Sequence, residues 1–90
     1  MDARERPIYT VRMAKPAEHR LARLERAARD RIQAAIDGLA ACSRPSDALK
    51  LSGVGVWRIR VGDFRVIYDV QDRILMVLIV KLGHRREIYR

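Results

Sequence analysis

Three arginines fall within eight residues of the stretch WRIRVGDFRVIY (57–68): Arg58, Arg60 and Arg65. A guanidinium presents a planar fork of N–H donors that matches pairs of phosphate oxygens, and it keeps its proton in water. A cluster of them suits the binding of an anion, or the stabilisation of charge that develops on one. The closing stretch GHRREIYR (83–90) adds His84, Arg85, Arg86 and Arg90, with a phenol at Tyr89. Histidine, tyrosine and several arginines together suffice for metal-free phosphoryl chemistry on RNA. A base takes the ribose 2′-OH proton and the alkoxide attacks the adjacent phosphate. Cations stabilise the pentavalent transition state, and an acid protonates the departing 5′-oxygen. Plainer uses exist for single residues: His84 alone reads as a surface histidine, and Tyr89 equally as a ring patching the edge of the core.

Whether the arginines meet depends on a hairpin. VWRIRV (56–61) alternates strictly, Gly62-Asp63 is a two-residue turn in the glycine-first order, and FRVIYDV (64–70) returns. With that turn, Val61 faces Phe64, Arg60 faces Arg65, Ile59 faces Val66 and Arg58 faces Ile67. Trp57, Ile59, Val61, Phe64, Val66 and Tyr68 then share the face on which helices pack. Arg58, Arg60 and Arg65 share the other, with cross-strand Cβ atoms ~5 Å apart. Like charges so placed repel, so truncating Arg65 is expected to relieve repulsion rather than remove packing. A solvated face with splayed arginines is the plain alternative. Three converging cations with no carboxylate between them favour an anion site.

The remaining elements must carry this hairpin. IYTVRMA (8–14) alternates and reads as a first strand, with Tyr9, Val11 and Met13 on one side. Pro16 suits a first helical turn. From there Ala17, Leu21, Leu24, Ala28, Ile32, Ala35, Ile36 and Leu39 recur at helical spacing, with Arg20, Arg23, Arg26 and Arg29 largely outside the stripe. So long a helix is expected to break near Glu25–Ala28, although no Gly or Pro marks the place. CSRPSD (42–47) is a turn, and LSGVG (51–55) is the loop into the hairpin. QD (71–72) turns again, and ILMVLIVKL (74–82) is an apolar run suited to a central strand buried on both faces. Gly83 then lets the chain leave the sheet. Asp63, Asp69 and Asp72 sit at or beside turns. The order β, helix, helix, three-stranded antiparallel meander predicts an α+β fold, with helices on one face of a small twisted sheet.

Composition bounds the rest. Ninety residues make one domain, 1–90, with 49% hydrophobic and 33% charged residues and no repeat. No apolar run is long enough to span a membrane, and the N-terminal stretch lacks the apolar core of a signal peptide. Cys42 is the only cysteine, so it forms no internal disulfide and is expected to be packed, in a cytoplasmic setting. Lys plus Arg exceed Asp plus Glu by 19 to 11, and sixteen of the nineteen are arginine. Arginine-biased coding accounts for part of this. A net charge of +8 makes a polyanion, or an acidic protein, the expected partner. One Cys with the distant His19 and His84 gives no zinc pattern, and no phosphate-cradling glycine loop occurs. No metal or cofactor is expected.

LKLSGVGVWRIRVGDFRVIYDV, an apolar strand and then GHRREIYR resemble the RelE toxins of the RelE/ParE superfamily, from type II toxin–antitoxin systems. The resemblance is specific over residues 49–90 and weak in the helices. It implies a microbial-RNase-like α+β fold with a helical hairpin on one sheet face and a basic concave site on the other. It implies an endoribonuclease that enters the ribosomal A site and cuts mRNA there. Its implied partners are a RelB-like antitoxin encoded nearby, the ribosome and mRNA, and promoter DNA only as the toxin–antitoxin complex. Arg58 and Arg60 match the family's two basic strand positions, Arg65 the arginine of the returning strand, Arg85 the arginine after the final glycine, and Tyr89 the tyrosine near the C-terminus. Relatives carry lysines at the two strand positions. Guanidiniums there are poor bases, which leaves the proton transfers to Tyr89 or His84. Lys50, Arg86 and Arg90 join Arg58, Arg60 and Arg65 as RNA-binding candidates. The C-terminal helix of some relatives is expected to be absent. Two other functions stay open: a ParE-like inhibitor of DNA gyrase that cuts nothing, and a nucleic-acid-binding module without chemistry. A pure gyrase binder has no need of the Arg58–Arg60–Arg65–Arg85–Tyr89 set.

Overall fold

The computed structural model describes residues 8–51, 53 and 55–84. Strand β1 (Thr10–Met13) leads into helices α1 (Lys15–Ala22) and α2 (Arg26–Gly38). Four strands follow: β2 (Leu49–Lys50), β3 (Val56–Val61), β4 (Phe64–Gln71) and β5 (Met76–His84). They form one mixed sheet in the order β1-β5-β4-β3-β2, an α+β fold. The expected meander is β3-β4-β5. Two pairings extend it: β1 runs parallel to β5, and the short β2 pairs antiparallel with β3.

The helical stripe drives the packing. Ala17 and Leu21 of α1, and Ile32 and Ile36 of α2 with Leu39 at its end, are buried against Ile59, Val66, Tyr68, Val70, Val77, Ile79 and Leu82 of the sheet. α1 lies on β5 and α2 on β3. The helix break falls at Arg23–Glu25, slightly earlier than the sequence suggests. Arg23 and Leu24 donate to Arg20 and Leu21, three residues back, which closes α1 with a tightened turn. Glu25 is then extended (φ −57°, ψ 146°), and its carbonyl accepts from Arg29 to start α2. No Pro or Gly is needed, because both short helices must lay their apolar stripes on one small sheet.

β5 departs from the expected pattern. Its pairing with β4 steps from Ile67↔Lys81 to Tyr68↔Ile79, so Val80 is an added residue, a β-bulge. The bulge changes the phase of the strand. Val77, Ile79, Leu82 and His84 all fall on the helix side, and Lys81 and Gly83 fall on the other. The continuous apolar run therefore marks a phase change rather than burial on two faces, and Val80 is 42% exposed. Gly83 does not leave the sheet; it pairs with Arg65 inside β5. The turn before β5 is also longer than two residues. A 3₁₀ turn over Asp72–Ile74 ends with Leu75 in the left-handed region (φ 50°). Cys42, expected to be packed, is exposed beyond the end of α2.

Two ties hold the connections to the sheet. Tyr68, fully buried, donates from its hydroxyl to the Ser43 carbonyl at 2.9 Å, and burial pushes its phenol up to about 12. Asp72 accepts from Tyr9 Oη at 2.5 Å and from both terminal nitrogens of Arg44, at 3.2 and 2.7 Å. Arg44 also lies over the Trp57 ring, 5.6 Å from its centroid. The Arg44 and Tyr9 hydrogen bonds hold the Asp72 carboxyl below its ordinary range. Gly55, at φ 81°, fits against β4: its carbonyl accepts from Val70 N at 2.7 Å. A Cβ there would sit 2.7 Å from the Val70 oxygen. At the outer edge, β2 pairs only with Trp57 and Arg58, so among the described residues no strand borders β3 over 59–61.

Gly55→Ala is expected to destabilise the fold by more than about 1 kcal/mol, by combining strain with a clash. Gly38→Ala, where no atom lies within 4 Å, is expected to be neutral or stabilising. Equal urea midpoints for the two variants contradict this account. Asp72 should make stability depend on acid. A carboxyl with a lower pKa in the folded chain stabilises it above the unfolded value of ~3.9, and the contribution fades as pH falls through the folded value. Asp72→Asn is therefore expected to unfold at lower urea than wild type at neutral pH, with the gap closing below about pH 4. A gap that persists unchanged through that range argues against the tie.

Candidate functional site

The hairpin register is the one its turn dictates: Val61↔Phe64, Arg60↔Arg65, Ile59↔Val66 and Arg58↔Ile67. Gly62 takes φ 60°, which the tight turn requires. Ile59 and Val66 are buried under the helices, and Trp57, Val61 and Phe64 pack against that core. Alternation therefore sends Arg58, Arg60 and Arg65 to the face away from the helices.

These arginines occupy unlike environments. Arg60 is exposed and Arg58 half-buried, while Arg65 on the middle strand is only 5% exposed. The Nε and Nη1 atoms of Arg65 and the Nε of Arg58 are buried. Arg65 stands between Arg60 on one side and Gly83 on the other. With no side chain at Gly83, the β5 side leaves room for the guanidinium. Burial corrects the expectation that Arg65 contributes only repulsion: its stem is part of the packing.

The next row across the sheet reads Leu49, Arg58, Ile67, Lys81. Exposed Lys81 thus joins the cationic face, although the sequence pattern alone sets it inside an apolar strand. Its signal was the one charge in ILMVLIVKL, but only the bulge fixes its side. One row further, half-buried Asp69 lies on the same face between Val56 and Leu78, and accepts from Gln71 Nε2 at 3.2 Å. Arg12 of β1 extends that row. Asp69 is therefore a strand residue at the border of the cationic patch.

Two candidates lie elsewhere. His84 pairs with Phe64 and so faces the helix side, its ring edge-to-face with Phe64 at 5.7 Å between centroids. The bulge, invisible to strict alternation, puts it there, and it is not brought together with the arginines. Lys50 pairs with Trp57, whose side chain also faces the helices, and is exposed on the edge strand. Arg85, Arg86, Tyr89 and Arg90 lie outside the described residues.

Arg58, Arg60, Arg65 and Lys81 can bind and neutralise phosphate oxygens, with Arg65 restrained by its surroundings. The three guanidiniums keep their protons in water, so none of them takes a proton from a hydroxyl. The described face supplies charge stabilisation, and proton transfer requires other groups.

The family model for the ParE toxin of type II toxin–antitoxin systems, parDE, matches residues 11–89. The chain is similar to the structure of an archaeal RelE–RelB complex from Pyrococcus horikoshii OT3, with 33% identity and a TM-score of 0.80 over 87% of this chain and 96% of that one. It is also similar to the RelBE2 toxin–antitoxin complex of Mycobacterium tuberculosis, with 28% identity and a TM-score of 0.64 over 90% and 95% of the two chains. The intact RelBE complex of E. coli shares the fold, with 15% identity and a TM-score of 0.76 over 84% and 95%. No curated protein sequence matches.

Arg65→Ala is expected to cost about 1–3 kcal/mol of stability through lost packing, whereas exposed Arg60→Ala should stay within about 0.5 kcal/mol of wild type. Urea unfolding of both variants decides it, and an Arg65→Ala protein as stable as wild type would overturn the packing role.

Proposed function

The chain belongs to the ParE toxin family of the RelE/ParE superfamily and is the toxin of a type II toxin–antitoxin system, and from that premise we propose that it is a RelE-like, ribosome-dependent mRNA endoribonuclease. The observation that supports this reading is Arg65. Its guanidinium is held at 5% exposure beside two further arginines, restrained by the packing around it. A surface meant only to meet a protein partner gains little from that arrangement. A site that must stabilise charge developing on a phosphate gains from it directly, because a restrained cation needs no reorganisation during the reaction.

In the proposed reaction the mRNA phosphate lies on the face of Arg58, Arg60 and Arg65. The 2′-oxygen loses its proton to a base and forms a bond to phosphorus, the bond from phosphorus to the 5′-oxygen breaks, and that oxygen receives a proton. The arginines carry the extra negative charge of the pentavalent state. With His84 on the helix side, the base role passes to Tyr89. A phenol is ordinarily near ~10, and guanidiniums placed beside one lower it. Arg85 is assigned to the departing oxygen, and Arg86, Arg90 and Lys81 to the RNA backbone. Positive charge comes from side chains, and no metal or cofactor takes part.

The reaction takes place in the ribosomal A site in the cytoplasm and arrests translation. A RelB-like antitoxin, encoded nearby, neutralises the toxin with an acidic or amphipathic segment suited to the +8 chain, and the two together bind their own promoter. A second reading, inhibition of DNA gyrase without cleavage, is favoured by the ParE description of the matching family model.

Primer extension on total RNA after brief induction separates the two. Discrete in-frame mRNA cuts are expected, whereas broken chromosomal DNA without such cuts selects the gyrase reading. On programmed ribosomes, Tyr89→Phe is expected to slow single-turnover cleavage by about 10²-fold or more. Cleavage at the wild-type rate removes Tyr89 from the base role.

A further inference from the structure

On the helix side of the hairpin tip lies a recess of ≈ 400 Å³, away from the arginine face. This volume falls within the ~300–1,000 Å³ range of small-molecule clefts. Its floor is apolar, from Ile32 of α2 with Val61 and Phe64 of the hairpin, and its polar groups are Arg31, Asp63 and His84. The Arg31 guanidinium stands against the turn, with Nη2 3.5 Å from where a Cβ of Gly62 would be. It has no ion pair among the described residues. His84 and Phe64 meet edge-to-face, so the recess offers an aromatic wall beside a cation and a carboxylate.

We infer that this recess holds one unstacked nucleotide of an RNA strand. Arg31 takes its phosphate, Asp63 accepts from its ribose 2′-hydroxyl, and its base rests against Phe64 and His84. Base-on-aromatic contact tolerates any sequence, and an arginine fork suits a phosphate diester. The tip is short: Arg60 lies two residues before Gly62, and Arg65 two after Asp63. A strand whose phosphate lies on Arg60 and Arg65 can pass around the tip and place a neighbouring nucleotide in the recess. This assigns His84 to substrate binding on the helix side. The choice of RNA rests on the function proposed above, but the binding test does not require cleavage.

The test is NMR titration of the full chain with uridine 5′-monophosphate, inorganic phosphate and a hexauridylate, without the ribosomes on which the proposed cleavage depends. Both uridine ligands are expected to shift Phe64, His84 and the Arg31 side chain saturably, with the hexamer binding more tightly. Arg31→Glu, at an exposed position, should weaken both by about tenfold or more. Asp63→Asn should weaken both uridine ligands without affecting phosphate. Shifts confined to the Arg58–Arg60 face, or none at the recess, overturn the inference. Phosphate binding as tightly as the mononucleotide removes the base contact. A mononucleotide that binds while the hexamer does not makes the ligand a free nucleotide and overturns the RNA assignment. If the recess binds as expected but no mRNA is cut in the primer-extension assay, the nuclease reading fails by itself.

Discussion

Between Ile67 and Tyr68 the β4–β5 ladder takes up one more residue on the β5 side, and both faces of the sheet depend on that step. Ahead of it, Val77 and Ile79 point into the core; beyond it, Leu82 does the same three residues later. Strict alternation from Ile79 would turn Lys81 and Gly83 inward and carry Leu82 and His84 to the open face. The bulge prevents this. It keeps the helix side apolar along the whole length of β5 and sets Gly83, rather than a side chain, beside Arg65. A buried guanidinium in the centre of a sheet needs such a gap, and an inserted residue in the neighbouring strand provides it.

The two faces then separate two kinds of work. One carries nearly all the cohesion of the molecule, from the helical stripes, Tyr68 with its bond to Ser43, and the aliphatic positions of β4 and β5. The other carries charge, graded from exposed Arg60 through half-buried Arg58 to buried Arg65. The Arg44–Asp72–Tyr9 cluster ties the loop after α2 and the start of β1 to the turn before β5. That anchors the far end of the sheet, where no cationic cluster has to be accommodated.

Much of this was legible in the sequence, because it follows from short-range rules. Gly62-Asp63 fixes a two-residue turn, the turn fixes the β3–β4 register, and the register groups the arginines. The helical stripe likewise named the residues that are buried. What was hidden depends on contacts distant in sequence. β2 is two residues long and carries no pattern of its own. The parallel pairing of β1 with β5 joins segments some sixty residues apart. The Val80 bulge leaves no Gly or Pro signature, so the side of Lys81 and the departure of His84 from the arginines could not be read. Burial of Arg65 was equally out of reach, since side-chain alternation gives a face but not what closes over it.

The outer edge of β3 has a consequence for how copies of this chain behave toward one another. β2 borders only Trp57 and Arg58, and among the described residues no strand borders the rest of β3. A short, twisted edge with exposed backbone groups is a template on which another strand can add. Here Arg60 stands on it, with Arg58 and Arg65 behind, so two molecules approaching edge to edge bring like charges together. The cationic patch thus also acts as a guard against self-association. Substitutions that neutralise these arginines therefore also remove charge that opposes edge-to-edge pairing.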